Sequence, residues 1–145
     1  MTKATMQELK HPYEKPLPRP DPGTLPYWDA LRRHELIYQR CRACHTRFAP
    51  YQPTCPNCWS DDVEDRKSSG LGTIYTFSIV YRAPVPAHRP DLPYAVAIVQ
   101  LNEGPYYTTN IIGCPVDEIH VGMPVEVIFE DVTEQITLAK FRPRA

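Results

Sequence analysis

The spacing of apolar residues changes along the chain, and the change separates a helical segment from a β-rich one. The segment TLPYWDALRRHEL places Leu25, Trp28 and Leu31 three residues apart and therefore near one face, which is expected to be the buried one, with Thr24 as a candidate N-cap. This pattern predicts a short amphipathic helix of about three turns. After Gly72 the apolar residues alternate with polar ones, and a period of two is typical of strands. The chain is therefore expected to be mainly β with an N-terminal helix.

Strand-like segments recur within residues 69–145. They are TIYTFSIVY, YAVAIVQL, YYTTNIIG, PVEVIFEDV and QITLAKF. β-Branched and aromatic residues dominate them, as in pleated sheets, and no long helical pattern separates them. Five short strands in about 70 residues predict a closed OB-fold barrel of the Greek-key type.

Between the helix and the barrel, cysteines stand as two pairs, Cys41 with Cys44 and Cys55 with Cys58. Two thiolate pairs brought together by a hairpin complete a tetrahedral four-sulfur site, and the ten residues between the pairs let the chain reverse. We predict a rubredoxin-like ribbon over residues 36–68 that binds Zn²⁺. Four protein sulfurs leave no coordination position for water or substrate, so the zinc is expected to be structural.

Other interpretations of this cysteine pattern are weaker. The run CRACH matches a c-type haem attachment motif, but haem attachment would leave the second cysteine pair without a role. A thioredoxin-like redox motif requires a βαβ setting that the sequence does not show. His45 as a substitute metal ligand is less favoured than four cysteines at this spacing.

The chain divides into four predicted parts. Residues 1–23 form an arm whose prolines, at positions 12, 16, 18, 20 and 22, block helix and favour extended chain. This arm is either disordered or laid along a partner. Residues 24–35 form the helix, 36–68 the ribbon and 69–145 the barrel. The polar runs SDDVED and KSSGLG indicate a hinge between ribbon and barrel.

Outside the ribbon, individual residues with a possible function also have a structural interpretation. Tyr27 and Trp28 either cap the protein's own core or anchor another subunit. Cys114 fits a small buried hydrophobe better than a nucleophile, for which His120 is the one local candidate base.

The proline-rich loop over residues 82–93 carries the cations Arg82, His88 and Arg89. It is either a solvated loop stiffened by proline or a rigid platform for a phosphate-bearing ligand or an acidic partner surface. The sequence contains no Walker-type glycine loop, HExxH helix, GxSxG elbow or convincing carboxylate pair. No catalytic residue is therefore predicted.

Composition and charge narrow the function classes. The 145 residues are 42% hydrophobic and 23% charged, as in a soluble globular protein. From residue 69 onward five Lys/Arg stand against eight Asp/Glu, and this mildly acidic balance argues against nucleic-acid binding. No apolar run approaches the roughly 20 residues that span a bilayer. Because no apolar segment opens the chain, a cytoplasmic location is expected, where paired cysteines favour metal over disulfides.

The order of these segments resembles the DUF35 family. The motifs that carry the resemblance are YWDAL in the helix, CRAC and CPNC in the ribbon, and IYTFSIVYR, PYAVAIVQLNEGP, TNIIGC, VGMPVEVIFE and FRP in the barrel. They extend from about Pro22 to Pro143, and all four ribbon cysteines are present. Members of this family are zinc-ribbon plus OB-fold proteins associated with acyl-CoA.

The resemblance implies an accessory subunit and not a stand-alone enzyme. DUF35 proteins associate with thiolase-like subunits, in some systems within hydroxymethylglutaryl-CoA-forming assemblies, and the thiolase-fold partner carries the catalytic residues. A hetero-oligomer for acyl transfer or aldol cleavage is implied, with a CoA thioester near the partner interface. Two further hypotheses stay open: a nucleic-acid-binding module built from OB-fold and ribbon, and a free-standing acyl-CoA carrier.

Overall fold

The structure is a computed structural model that describes residues 15–144. A short helix is followed by a three-stranded sheet and then by a closed five-stranded barrel. The predicted mainly β architecture is confirmed. Of the predicted proline-rich arm, residues 1–14 lie outside the described residues.

Helix α1, Leu25–Arg32, contains eight residues and is shorter than the predicted three turns. Thr24 occupies the N-cap position, but its hydroxyl makes no bond to the first turn. Instead, Asp21 N donates to Thr24 Oγ1 and Thr24 N donates to Asp21 Oδ1, both at 3.0 Å. The turn before the helix is therefore closed by a reciprocal pair of bonds.

The C-terminus of α1 is set by His34. This residue adopts a left-handed backbone conformation, with φ at 59°. His34 N and Glu35 N then donate to the carbonyls of Leu31 (2.8 Å) and Ala30 (2.9 Å). These two bonds form a Schellman-type cap that satisfies the last carbonyls of the helix, so α1 ends before the predicted boundary at residue 35.

The buried face of α1 differs from the predicted one. Leu25 is 45% exposed whereas Leu31 is 1% exposed, so the expectation that both lie on one buried face is wrong. Six residues at 100° per residue place Leu25 about 120° away from Leu31 around the helix, whereas Tyr27 precedes Leu31 by one turn. Tyr27 and Trp28 pack half-buried against the core, which supports their core-capping interpretation.

The ribbon is a small antiparallel sheet. Its strands are β1 (Ile37–Cys41), β2 (Arg47–Phe48) and β3 (Val63–Lys67), in the order β2-β1-β3. The buried cluster of this sheet consists of Cys41, Phe48 and Cys55. Two of these three residues are predicted zinc ligands, so the ribbon has almost no apolar core apart from its metal centre.

The barrel contains all five predicted strands. They are β4 (Leu71–Val80), β5 (Tyr94–Leu101), β6 (Tyr106–Ile111), β7 (Pro124–Asp131) and β8 (Thr137–Pro143), closed in the order β4-β5-β6-β8-β7. Neighbouring strands are antiparallel except β6 and β8, which are parallel and meet at Ile111 and Phe141. The predicted OB-fold barrel is confirmed.

The main core fills the barrel and continues into the helix. Ile74, Val99 and Phe141 from three strands pack in one buried cluster with Leu31 of α1 and Leu36 just before β1. Burial of such side chains contributes about 1.5–3 kcal/mol each. The helix therefore packs with the barrel and closes one part of its core.

The connection between ribbon and barrel is a hydrogen-bonded joint. Ser68 Oγ and Ser69 N both donate to the carboxylate of Glu103 at 2.8 Å, and Arg47 Nη1 donates to the Glu103 carbonyl oxygen at 3.0 Å. Gly70 (φ 79°) approaches Val127 so closely that a Cβ on Gly70 would lie 2.5 Å from its Cγ1. The predicted hinge is therefore corrected: the segment is packed on the barrel because the two serines are held by Glu103.

Candidate metal centre

The four predicted ligands converge at one end of the ribbon. The Sγ atoms of Cys41, Cys44, Cys55 and Cys58 all lie within 4.8 Å of one another. The Cys41–Cys58 and Cys44–Cys55 sulfur pairs are each 3.6 Å apart. A tetrahedral zinc with Zn–S bonds of about 2.3 Å has sulfur–sulfur edges of about 3.8 Å, so the spacing of the thiols fits this ion.

Both cysteine pairs stand on the same kind of turn. In the first, His45 N donates to Cys41 O at 2.9 Å; in the second, Trp59 N donates to Cys55 O at 2.9 Å. Each turn requires a left-handed residue after its second cysteine, with φ at 68° for His45 and 67° for Trp59. This conformation costs a non-glycine residue about 1–2 kcal/mol, and here it brings both thiols of a pair toward one point.

The electrostatics of the four thiols favour a cation. The pKa of Cys44 is lowered to about 5, first by the Thr46 hydroxyl and then by its backbone N–H. At Cys58 a backbone bond from Ser60 lowers the pKa, but the neighbouring thiols, Cys44 foremost, raise it to about 12. Four clustered thiolates repel one another, and a central dication removes that repulsion.

His45 does not belong to the ligand group. Its Nδ1 lies 2.6 Å from Arg40 Nη2, and the cluster of potential ligand atoms is formed by the four cysteines. Cys58 is exposed whereas Cys41 and Cys55 are buried. The centre therefore lies near the surface of the ribbon, on the side of the exposed residue Cys58.

A second polar cluster joins α1 to the barrel, and no sequence pattern indicated it. His34 Nε2 lies 3.0 Å and 3.2 Å from the two carboxylate oxygens of Asp131, and its ring stacks on Phe129 with centroids 5.0 Å apart. The buried hydroxyl of Thr137 donates to Asp131 at 2.6 Å. A catalytic triad requires the hydroxyl to contact the imidazole, whereas here both groups contact the carboxylate, so the cluster is a structural link.

The lone cysteine has the surroundings of a core residue. Cys114 is partly buried against the main core, and burial, followed by the charge of Glu118, raises the pKa of its thiol. The candidate base His120 instead directs Nδ1 to the Glu118 carbonyl at 3.1 Å. Within residues 15–144 no hydrogen bond joins Cys114 to a base, which supports its structural interpretation.

The proline-rich loop is braced by its own residues. It contains a short 3₁₀ helix, Pro86–Asp91. Arg89 Nε and Nη2 donate to the carbonyls of Ala83 (3.3 Å) and Pro84 (3.5 Å), and Asp91 forms an ion pair with Lys15. Arg89 is thus a brace within the loop.

A cavity of about 590 Å³ lies beside the loop, over β5, β6 and β8. Its lining includes His88, Thr108, Asn110 and Lys140. Lys140 is paired with Glu130 at 3.1 Å, so the lining carries charges of both signs beside apolar residues such as Val96 and Leu138. In residues 15–144, no helix is both long and apolar enough to cross a membrane.

Fold and site together define a class of protein: a four-cysteine zinc ribbon joined to an OB-fold barrel. Family models match both parts, the rubredoxin-like zinc ribbon domain of ChsH2 over residues 28–64 and the C-terminal OB-fold domain of ChsH2 over residues 65–130. The chain belongs to the DUF35 family.

Similar proteins carry related descriptions. A DUF35 domain-containing scaffold protein of Methanocaldococcus jannaschii is 37% identical over 103 residues, which are 70% of this chain and 72% of that protein. A probable enoyl-CoA hydratase alpha subunit of Thermomonospora curvata is 34% identical over 141 residues, 97% of this chain but 44% of that protein. The chain thus spans less than half the length of the Thermomonospora relative.

The solved structure of an Ltp2-ChsH2(DUF35) aldolase contains a chain of closely similar fold. The two chains are 35% identical with a TM-score of 0.77, and the match covers 88% of this chain and 98% of the other. The combination of ribbon, helix and barrel is therefore shared as a whole.

Proposed function

We propose that this chain is a non-catalytic accessory subunit of a thiolase-like acyltransferase complex. The observation that carries the proposal is the closed metal centre, because four thiols within 4.8 Å fill a tetrahedral zinc shell and leave no position for substrate. In residues 15–144, no serine, threonine or cysteine side chain is hydrogen-bonded to a histidine ring. The reacting groups would then reside on a partner.

The chain's own residues would supply a rigid docking body. Zinc, when bound at the quartet, supplies folding energy to the ribbon. Glu103 holds the ribbon on the barrel, and the contact between His34 and Asp131 holds α1 on the barrel. A subunit whose parts keep fixed relative positions loses little conformational freedom on association.

The partners in this proposal are thiolase-like subunits and, in some assemblies, hydroxymethylglutaryl-CoA-synthase-like ones. A CoA thioester would lie at the interface between the subunits. The descriptions of the Methanocaldococcus relative as a scaffold and of the Thermomonospora relative as an alpha subunit support a hetero-oligomer. We assign the complex to the cytoplasm, where reduced thiols remain available to zinc.

A second candidate is a subunit of a thiolase-like aldolase that acts on CoA-thioester side chains. This candidate is favoured by the similarity to a chain in the Ltp2-ChsH2(DUF35) aldolase structure, because the match covers 98% of that chain. The two candidates share the same architecture and differ in the reaction of the partner.

Co-expression with a thiolase-like protein from the same organism tests the proposal. We expect one species in size-exclusion chromatography with light scattering, containing both chains in a fixed ratio. Assays of that species for acyl transfer and for retro-aldol cleavage distinguish the two candidates. Two proteins that elute separately at micromolar concentration would contradict the accessory role.

A further inference from the structure

The second zinc turn presents an aromatic side chain to solvent. Trp59 is 76% exposed, more than the other large exposed hydrophobic residues of the described chain. The other tryptophan, Trp28, packs half-buried against the core. An indole exposed to this extent is unfavourable in water and is typical of protein interfaces, where tryptophan is enriched at the residues that dominate binding.

The backbone conformation at Trp59 is also unusual for a large side chain. Three non-glycine residues in residues 15–144 have a positive φ: His34, His45 and Trp59. The two histidines use their side chains, because His34 binds Asp131 and His45 contacts Arg40. For the indole of Trp59, no hydrogen bond or ring contact occurs within the same residues. A bulky residue is thus held where glycine would fit best, without a contact in the free chain that accounts for it.

The turn also holds the indole in a fixed place. Trp59 N donates to Cys55 O at 2.9 Å, and Cys55 N donates to Ser60 O at 2.8 Å. The zinc ligands Cys55 and Cys58 anchor both ends of the turn. A side chain on such a rigid backbone loses less freedom on binding than one on a loose loop.

The charge around the indole indicates the chemistry of its partner. Pro56 and Asn57 are exposed beside Trp59, and Asp61 is an exposed carboxylate that has no ion pair within residues 15–144. Asp62 is paired with Arg42 at 2.8 Å. We call Pro56, Asn57, Trp59 and Asp61 the knuckle tip. An apolar pocket with a basic rim is complementary to an exposed indole that a carboxylate follows two residues later in the chain.

We propose that the knuckle tip is a principal docking element of this chain, and that Trp59 inserts into an apolar, basic-rimmed pocket of the thiolase-like partner. The inference rests on the proposed function, since it assigns a contact to that partner. The exposed Cys58 directly precedes Trp59, so docking would also cover the side of the metal centre that lies nearest to solvent.

Trp59→Gly separates docking from folding. Glycine adopts the left-handed conformation without strain, so the zinc-loaded variant should bind one zinc and have a Tm equal to or above that of the original chain. Its Kd for the thiolase-like subunit should rise at least about 30-fold, the effect of removing a dominant interface residue. Asp61→Lys should lower the association rate and reverse its salt dependence.

His45→Gly is the matched control, because it makes the same backbone change in the first zinc turn. Its Kd should stay within about twofold of the original. Incorporation of 5-fluorotryptophan gives two ¹⁹F signals, assigned with Trp28→Phe. On addition of the subunit, the Trp59 signal should shift and lose its response to solvent isotope, whereas the Trp28 signal should not.

The outcomes separate this inference from the proposed function. If the original chain and Trp59→Gly bind the subunit equally, the docking inference is overturned and the accessory role remains. If the original chain does not bind, both are overturned. If the isolated chain binds an adenine nucleotide and Trp59→Gly removes that binding without changing the Kd for the subunit, the knuckle tip is a nucleotide surface and the inference is wrong.

Discussion

The ribbon and the barrel are adjacent parts of one chain, yet they are stabilised in different ways. The buried cluster of the ribbon contains Cys41, Phe48 and Cys55, and two of these are predicted metal ligands. The barrel encloses a larger cluster of aliphatic and aromatic side chains that includes Ile74 and Phe141. The ribbon should therefore depend on zinc, whereas the barrel should depend on apolar burial. This difference predicts that the two parts respond to different perturbations.

Loss of zinc should have the largest effect. Replacement of Cys41 and Cys44 by serine removes two of four ligands, and structural zinc contributes about 10–16 kcal/mol to comparable peptides. Amide resonances of residues 36–68 should collapse in ¹H–¹⁵N spectra while those of the barrel strands persist. Cys114→Ser is the control and should preserve both sets. If the ribbon resonances of the double variant remain dispersed, the ribbon does not depend on zinc for its fold, and the proposed difference between ribbon and barrel is wrong.

A cavity in the barrel core should have the next largest effect. Phe141 is 1% exposed, so Phe141→Ala should lower the free energy of unfolding by about 3–5 kcal/mol. Urea denaturation measures this loss, and Phe141→Leu should cost less. Zinc content should remain at one ion per chain below the unfolding midpoint. If the Phe141→Ala variant loses zinc at a lower urea concentration than the one at which its barrel unfolds, the ribbon depends on the barrel core more than we infer.

Sequence reasoning identified the features that depend on local patterns. The paired spacing of the cysteines predicted the four thiols that converge in the structure, and the alternation of apolar residues predicted the five strands. The prediction that Leu25 lies on the buried face was wrong, because two successive steps of three residues rotate a side chain by about 120° around a helix. The partial burial of Tyr27 follows from its contacts with the main core, which the spacing alone does not show. The junction was misread as a hinge because glycine and serine also occur in packed joints, and Glu103 lies 34 residues after Ser69.

Other features depend on contacts that no local pattern encodes. His34 and Asp131 are 97 residues apart in sequence, and a helix cap and a barrel strand bring them together. Trp59 carried a weak signal, since it directly follows the last cysteine, in the position where the turn requires a left-handed residue. Its exposure depends on the fold of the ribbon.

Removal of the Asp131 charge tests how α1 is held on the barrel. Asp131→Asn weakens the bonds to His34 and Thr137, so we expect a loss of about 1–3 kcal/mol in the free energy of unfolding. Glu134→Gln, in the exposed turn that follows, should change it by less than about 0.5 kcal/mol. Hydrogen exchange should be faster in α1 than in the ribbon strands. Equal losses in the two variants would show that the link does not stabilise the fold.

The Glu103 joint should have the smallest effect and a defined pH dependence. Although burial raises the pKa of Glu103, bonds from Ser69 and Ser68 lower it below the ordinary value of 4.5 overall. A lowered folded-state pKa gives stability that is present above pH 4.5 and is lost as pH falls through the folded value. Glu103→Gln should lower the free energy of unfolding by about 1 kcal/mol at pH 7. Below the folded-state pKa of Glu103 the substitution should not change it.

Urea midpoints measured for both chains across this pH range check the prediction. The two curves should converge as the solution is acidified. Parallel curves would mean that the charge of Glu103 does not stabilise the junction between ribbon and barrel.

The most direct test of the central claim is turnover measured with three samples: this chain alone, the thiolase-like subunit alone and the reconstituted complex, each with an acyl-CoA donor and with a retro-aldol substrate. The account predicts no turnover from the zinc-loaded chain alone, and the highest rate from the complex. The rate of the complex should be unchanged by Cys114→Ser. Acyl transfer or aldol cleavage by the isolated chain at the rate of the complex would contradict it.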